Sequence, residues 1–354
     1  HVVEGLEGER TALVAKVHHA ILDGVSGASV LAAFLDLTPR TRIVELPPEW
    51  HPAPLPSNAQ MLRHAAASLT RQPGSALSTL QSGVEAVAEL GMHNRELAGR
   101  GEQSPPGFFA APRTSFNGAV SNRKRFASLS VPLEDVKLVG RMFEATVNDV
   151  ILACVSGGLR RLLEARGEEA DGPLVAMVPV STRAEGETEE LGNQVSGMLV
   201  SLASDIEDPV ARLDAISESS RVAKEQEKLH GGRFVGDLAQ IAPPALASRV
   251  ARAVAGTRLF DRMRPPFNVT VSSVRVPDLP LFLAGSRVAA TYPVGPMAEG
   301  IGLNVTAFSY LDRVYFGMLA CRRLLPELDE VAVHIDDALG ELVVCALDAR
   351  GATA

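Results

Sequence analysis

Val14-Ala-Lys-Val-His18-His19-Ala-Ile-Leu-Asp23-Gly24 sets two histidines at the end of an apolar run, with a carboxylate and a glycine one short loop later. The run from Ala12 to Val17 predicts a strand, and the small-residue stretch from Val25 to Leu37 predicts a helix. Successive side chains of a strand point to opposite faces, so one of His18 and His19 can face a given cleft and the other stands behind it. Asp23, four residues past His19, can bond the loop backbone or a cation, and Gly24 permits positive φ or close packing at the turn into the helix. Histidine takes and returns a proton near neutral pH. Two core histidines with a helix-capping aspartate are the plainer reading of the same residues. The combination at a strand-to-helix junction favours chemistry over it.

The chain has 354 residues, enough for two domains of ordinary size, and 46% hydrophobic residues, enough for a sizeable core. A net charge of −8 and a pI of about 5.6 argue against nucleic acid as the main partner and leave a membrane surface open. Cys154, Cys321 and Cys345 are odd in number and form no C-x-x-C pair, which disfavours a disulfide framework and a zinc knuckle and fits a reducing, intracellular setting. No run of about 18 apolar residues predicts a membrane-spanning helix, and no signal peptide is visible. The sequence holds no G-x-S-x-G nucleophile elbow, no H-E-x-x-H zinc motif, and no P-loop or dinucleotide-binding glycine fingerprint.

Along the chain, the prolines between Pro39 and Pro56 predict an extended strap with Trp50 as its packing anchor. Residues 59–99 carry a helical pattern that Pro73-Gly74 breaks into two, and residues 100–113 read as a loop. From Thr114 a second unit begins. Strands are predicted over Arg123–Val131, Leu174–Val180, Asn193–Leu202, Phe267–Val274, Arg287–Val294, Leu303–Leu311 and Arg313–Leu319. Helices are predicted over Leu133–Phe143, from Thr146 to about Arg166, over Pro209–Leu229 with a strongly amphipathic pattern, and over Leu328–Leu347. Thr146 and Asp149 have the spacing of a capping box. Alternating strands and helices give the α/β class.

Two further motifs are candidates. Asn148-Asp149 opens a predicted helix, where either residue can be no more than a cap. Val178-Pro-Val-Ser181-Thr182-Arg183 ends a predicted strand in hydroxyls and an arginine, which can be a plain surface residue. The segment from Pro243 to Arg264 sets Arg249, Arg252, Arg258, Arg262 and Arg264 among apolar residues. It suits either a helix packed on the protein or one lying on a lipid surface.

His18-His19-Ala-Ile-Leu-Asp23-Gly24 resembles the HHxxxDG motif of the CoA-dependent acyltransferase superfamily, which includes chloramphenicol acetyltransferase and the condensation domains of peptide synthetases. Val147-Asn148-Asp149-Val150, Gly192-Asn193-Gln194, Thr291 to Pro296, and Asn304 to Tyr310 leading to Tyr315-Phe316-Gly317 narrow the likeness. They resemble the bacterial wax ester synthase/diacylglycerol acyltransferase family, especially its actinobacterial triacylglycerol synthases. Where that family often shows Asn-Val-Pro-Gly-Pro, this chain has Ser272-Ser273-Val274-Arg275-Val276-Pro277, which puts the local loop and substrate preference in question.

The resemblance implies two chloramphenicol-acetyltransferase-like α/β domains with mixed sheets and a helical linker. Residues 1–38 would be the remainder of an N-terminally incomplete first domain, 39–113 the strap and linker, and 114–354 the second domain. The family carries roughly a hundred further residues, with a Pro-Leu-Trp motif, before this point. The implied reaction moves a long-chain acyl group from acyl-CoA to diacylglycerol, or to a long-chain alcohol. Alternatives are a condensation-type enzyme served by a carrier protein and a non-catalytic lipid-binding role. The implied catalytic residues are His19 as general base, His18, Asp23, and Asn148 as donor to the oxyanion. Gly24, Asp149 and Arg183 support them, with Arg183 paired to Asp23. Acyl-CoA is a co-substrate, so no cofactor and no metal are expected. The expected location is cytoplasmic, with peripheral attachment at the inner membrane or a lipid droplet as a further expectation.

Overall fold

The computed structural model describes residues 1–18, 34–40, 51, 54–71, 106–107, 110–181, 195–230, 264–275 and 278–353. Strands β1 (Val2–Leu6) and β2 (Arg10–Leu13) form an antiparallel hairpin in which Val2 faces Leu13. The strand pairing runs as far as Leu13. The expected strand therefore stops short of the histidines. Residues 14–18 have no regular structure, because no described strand pairs with them, and the alternation argument has no strand to act on. The helix expected to reach Leu37 ends at Phe34. Asp36 instead exchanges two backbone hydrogen bonds with Phe282, at 2.7 and 2.8 Å.

Helix α1 (Asn58–Arg71) starts with a reciprocal cap. The Gln60 amide donates to Ser57 Oγ at 3.3 Å and the Ser57 amide donates to Gln60 Oε1 at 2.8 Å, which satisfies two amides that the helix leaves unpaired. Trp50 and the break at Pro73-Gly74 lie outside the described residues.

The remaining described elements follow in order: β3 (Asn117–Gly118), β4 (Lys124–Pro132), α2 (Leu133–Met142), α3 (Val147–Ala165), β5 (Val175–Ser181), β6 (Val195–Ser201) and α4 (Pro209–His230). After them come β7 (Val269–Arg275), β8 (Phe282–Leu283), β9 (Ser286–Arg287), β10 (Gly300–Ile301), β11 (Leu303–Tyr310), β12 (Arg313–Cys321) and α5 (Leu328–Thr353). Six of the strands form one mixed sheet in the order β4-β12-β11-β7-β5-β6. The central pairs β11/β7 and β7/β5 are parallel and the others antiparallel.

Alternation assigns the faces of this sheet. Val269 and Val271 of β7, Val305 and Ala307 of β11, and Phe316 and Met318 of β12 turn into one buried cluster with the four helices. Helix α3 packs on β7 at the sheet centre, between α2 and α5 on one side and α4 on the other, while α4 covers β6 and α5 covers β4. Gly157 and Gly158 let α3 approach α5: a Cβ on Gly157 would lie 2.7 Å from the Ala338 Cβ. The inward face of α4 is less apolar than its pattern predicts. Arg212, Ser219 and Ser220 are buried on it beside Leu213 and Ile216.

The other face of the sheet is covered by residues 281–296. The stretch Arg287–Val294, expected as a strand, contributes only Arg287 to β9. Pro293 and Pro296 lack the amide a ladder needs, so the segment docks through its carbonyls. The Tyr310 hydroxyl donates to the Val288 carbonyl at 3.1 Å, the Tyr315 hydroxyl to the Ala289 carbonyl at 3.1 Å, and Asn304 Nδ2 to the Pro296 carbonyl at 3.0 Å. Gly317 makes room for the strap, since a Cβ there would lie 1.7 Å from the Pro293 carbonyl oxygen.

Candidate active site

The site grows from the start of α3. Thr146 has extended backbone and caps the helix. Its hydroxyl accepts from the Asp149 amide at 3.2 Å, and Asp149 Oδ2 accepts from the Thr146 amide at 3.0 Å and hydroxyl at 2.5 Å. This is the box that the Thr146–Asp149 spacing predicts. Asp149 is buried, and its Oδ1 has no hydrogen-bond partner. Asn148 lies between the two capping residues and is half-buried. Its side chain has no hydrogen-bond partner among the described residues.

Asn148 lines a cleft of about 680 Å³. The cleft lies towards the carboxyl ends of the three parallel strands, where Val180 of β5, Ser273 of β7 and Ser309 of β11 stand within two residues of the strand ends. Open α/β sheets place ligands at this end. On the helix-covered face the inward positions change character there. Val269 and Val271 give way to Ser273, and Val305 and Ala307 give way to Ser309, so the core stops and a polar-lipped trough begins. Ile151 and Met198 keep its floor apolar, Lys137 reaches it from α2 and Lys224 from α4. An unpaired amide at a helix N-terminus, with the helix dipole behind it, can donate to a carbonyl oxygen or to the oxyanion formed from it.

Of the residues that the sequence singles out, Asn148 and Asp149 come together with this cleft. His18 is exposed in the irregular stretch 14–18. His19, Asp23, Gly24, Arg183 and the turn at 192–194 lie outside the described residues, as do Arg249, Arg252, Arg258 and Arg262. Arg264 is ion-paired to Asp171, which ties that end of the basic segment to the protein. Lys137, Lys224 and Ser309 escape sequence reasoning, and Ser273, which the sequence marks only as part of a departure from the family motif, joins them in the cleft. The serines had a signal in the break of apolar alternation at two strand ends; the lysines had none, because helix packing alone brings them together.

The three cysteines are free thiols. Among the described residues no helix is long and apolar enough to cross a membrane.

Residues 1–151 match the wax ester synthase/diacylglycerol acyltransferase catalytic domain, and residues 191–343 match the C-terminal domain of the same family. A Mycobacterium tuberculosis protein named as a diacylglycerol O-acyltransferase is 37% identical over 322 residues, which cover 90% of this chain and 66% of the relative. A second from the same organism, with the same name, is 33% identical over 372 residues, covering 97% of this chain and 73% of the relative. The chain thus spans about two thirds of the length of the curated relatives it matches first. The solved wax ester synthase/diacylglycerol acyltransferase of Marinobacter aquaeolei VT8 is similar in structure, with a TM-score of 0.65, 26% identity, and coverage of 98% of this chain and 70% of that one. The two family regions and that likeness bear out the α/β class and the pair of chloramphenicol-acetyltransferase-like domains expected from the histidine motif. By family regions, identity and structure together, the chain belongs to the wax ester synthase/diacylglycerol acyltransferase family.

Proposed function

We propose that the protein transfers a long-chain acyl group from acyl-CoA to the free hydroxyl of diacylglycerol, making triacylglycerol. The observation that carries this reading is the unpaired Asn148 amide, set at the N-terminus of α3 in the cleft at the strand ends. Family membership supplies the reaction class, and the names of the mycobacterial relatives supply the acceptor. The name of the Marinobacter enzyme supports a second acceptor, a long-chain alcohol, since one general base serves either hydroxyl.

In this reading His19 takes the proton of the acceptor hydroxyl as the oxygen attacks the thioester carbonyl. The tetrahedral oxyanion accepts a hydrogen bond from the Asn148 amide. Collapse expels the CoA thiolate, which takes the proton back from His19. The donor is already activated, so neither an acyl-enzyme nor a cofactor is needed. His18 and Gly24 shape the loop, Arg183 holds Asp23, and Asp149 holds Asn148 through the cap. Residues 1–38 and 114–354 belong to the two acyltransferase domains, with 39–113 between them. A lipid acceptor favours peripheral attachment to a membrane or lipid droplet, with the protein otherwise in the cytoplasm.

The test is transfer of labelled palmitoyl-CoA to diacylglycerol and to hexadecanol, wild type beside His19→Ala. Ester formation that falls about 10²- to 10⁴-fold in the variant is the expected result. Ester formation that survives in His19→Ala but is lost in His18→Ala overturns the choice of base. No ester from the wild type with either acceptor overturns the reaction.

A further inference from the structure

Acyl transfer at Asn148 leaves two cations of the cleft without a task. Lys137 and Lys224 reach it from the helices that flank α3 on opposite sides. Lys224 is half-buried and has no ion-pair or hydrogen-bond partner among the described residues. Lys137 is held by Glu134 at 3.0 Å, with both side chains well exposed. An exposed pair one turn apart contributes little and yields readily to a better partner. Asp278 is the carboxylate among the described lining residues, so among these two cations face one anion.

The helix end has the same polarity. The capping box uses the amides of Thr146 and Asp149, and the amides of Val147 and Asn148 have no acceptor among the described residues. Much of the remaining described lining is apolar: Ile151, Val178, Val180, Met198 and Leu311. A half-buried ammonium with no partner among the described residues, in a largely apolar trough, fits a ligand with a slender arm and an anionic end. A phosphorylated pantetheine is such a ligand.

We propose that Lys137 and Lys224 bind the phosphate end of the acyl donor, a pantetheine thioester, and so hold its carbonyl against Asn148. The proposal rests on the acyl-transfer reading and deepens it. It makes the two lysines specificity-determining residues for the donor.

The experiment compares two donors, palmitoyl-CoA and palmitoyl-pantetheine, which has the same thioester arm and no phosphate. Transfer to diacylglycerol is measured for the wild type, Lys137→Gln, Lys224→Gln and Lys224→Arg. The ratio of kcat/KM for the CoA donor to that for the pantetheine donor is expected to fall about tenfold for each glutamine variant, through KM, and to be retained in Lys224→Arg. A ratio that stays at the wild-type value overturns the proposal, because a damaged fold lowers both donors together. Palmitoyl carrier protein is run as a third donor. A kcat/KM for it above that for palmitoyl-CoA overturns free coenzyme as the source of the phosphate.

Binding of free CoA, measured by equilibrium dialysis on the same proteins, separates this proposal from the reaction it rests on. Wild-type turnover with CoA binding untouched by the substitutions overturns the lysines alone. CoA binding that the substitutions weaken, with no ester from any protein, upholds the lysines and overturns acyl transfer.

Discussion

Thr146 and Asp149 close on each other across the first turn of α3, and Asn148 stands between them with its amide unpaired in the cleft. The aspartate spends Oδ2 on the threonine amide and hydroxyl, so the backbone that carries Asn148 is fixed from both ends. Asn148→Ala is expected to lower kcat about 10²- to 10³-fold, the size of one lost oxyanion donor, with the melting temperature little changed. Thr146→Ala acts through the cap. It should cost about 1 kcal/mol of stability and lower kcat as well, and Thr146→Ser should restore both. Steady-state kinetics beside thermal melts decides: Thr146→Ala with a lowered melting temperature and wild-type kcat would show that the cap holds the helix and not the amide.

Gly158 of α3 meets Ile335 of α5 where the two helices cross. A Cβ on the glycine would lie 2.6 Å from Ile335 Cγ1 and 3.1 Å from its backbone nitrogen. Alanine is the better helix former by about 1 kcal/mol, so propensity alone makes Gly158→Ala stabilising. Overpacking a filled core costs about 1–3 kcal/mol, and Ile335 is 1% exposed with nowhere to move. The substitution is therefore expected to destabilise. In an Ile335→Ala background, which removes Cγ1, the same change should cost at least about 1 kcal/mol less. Urea unfolding of the four proteins measures the coupling; additivity within about 0.5 kcal/mol would sink the idea that this contact sets the helix spacing.

What the sequence made legible was local. Hydrophobic patterning, alternating in β4 and a short apolar run in β5, located β4, β5, β7, β11 and β12 to within a residue or two, because each buries a face against the helices. The Thr146–Asp149 spacing announced its cap for a similar reason, since three residues contain the whole interaction. Elements whose fate depends on distant partners misled it. Val288, Ala290, Tyr292 and Val294 alternate like a strand, yet tyrosines of β11 and β12 capture the carbonyls of this segment and its prolines cannot join a ladder. Among the described residues the apolar run before His18 is paired as a strand only through Leu13. The amphipathic pattern of Pro209–Leu229 gave no sign that Arg212 is buried: its Nη1 donates to the carbonyls of Ile206 and Glu207, at 2.9 and 3.0 Å, and folds the turn before α4. In the candidate site, Asn148 was legible through its motif and the lysines were not, because no pattern within one helix marks a residue that acts between two.

Cys154, on the buried side of α3, gives the fold a dependence on alkaline pH. Burial pushes its thiol from 9.0 up to about 12; the nearby Arg212 guanidinium pulls it back, and Asp336 adds to the rise. The folded chain therefore holds a proton that the unfolded chain releases above its ordinary thiol value. Stability is unaffected by this group well below pH 9 and falls as pH rises from about 9 to about 12, by on the order of 4 kcal/mol over the whole span. Cys154→Ala removes the titration and leaves a small cavity. At about pH 8 the variant should be the less stable of the two, by about 1 kcal/mol. By about pH 11 the order should reverse, because the wild type alone carries the buried thiol's penalty. Urea unfolding at a series of pH values gives both slopes, and parallel lines would remove Cys154 from the alkaline response. Below pH 9 the wild-type thiol should also resist a soluble disulfide reagent until the protein unfolds, since the attacking species is a thiolate and Cys154 is 2% exposed.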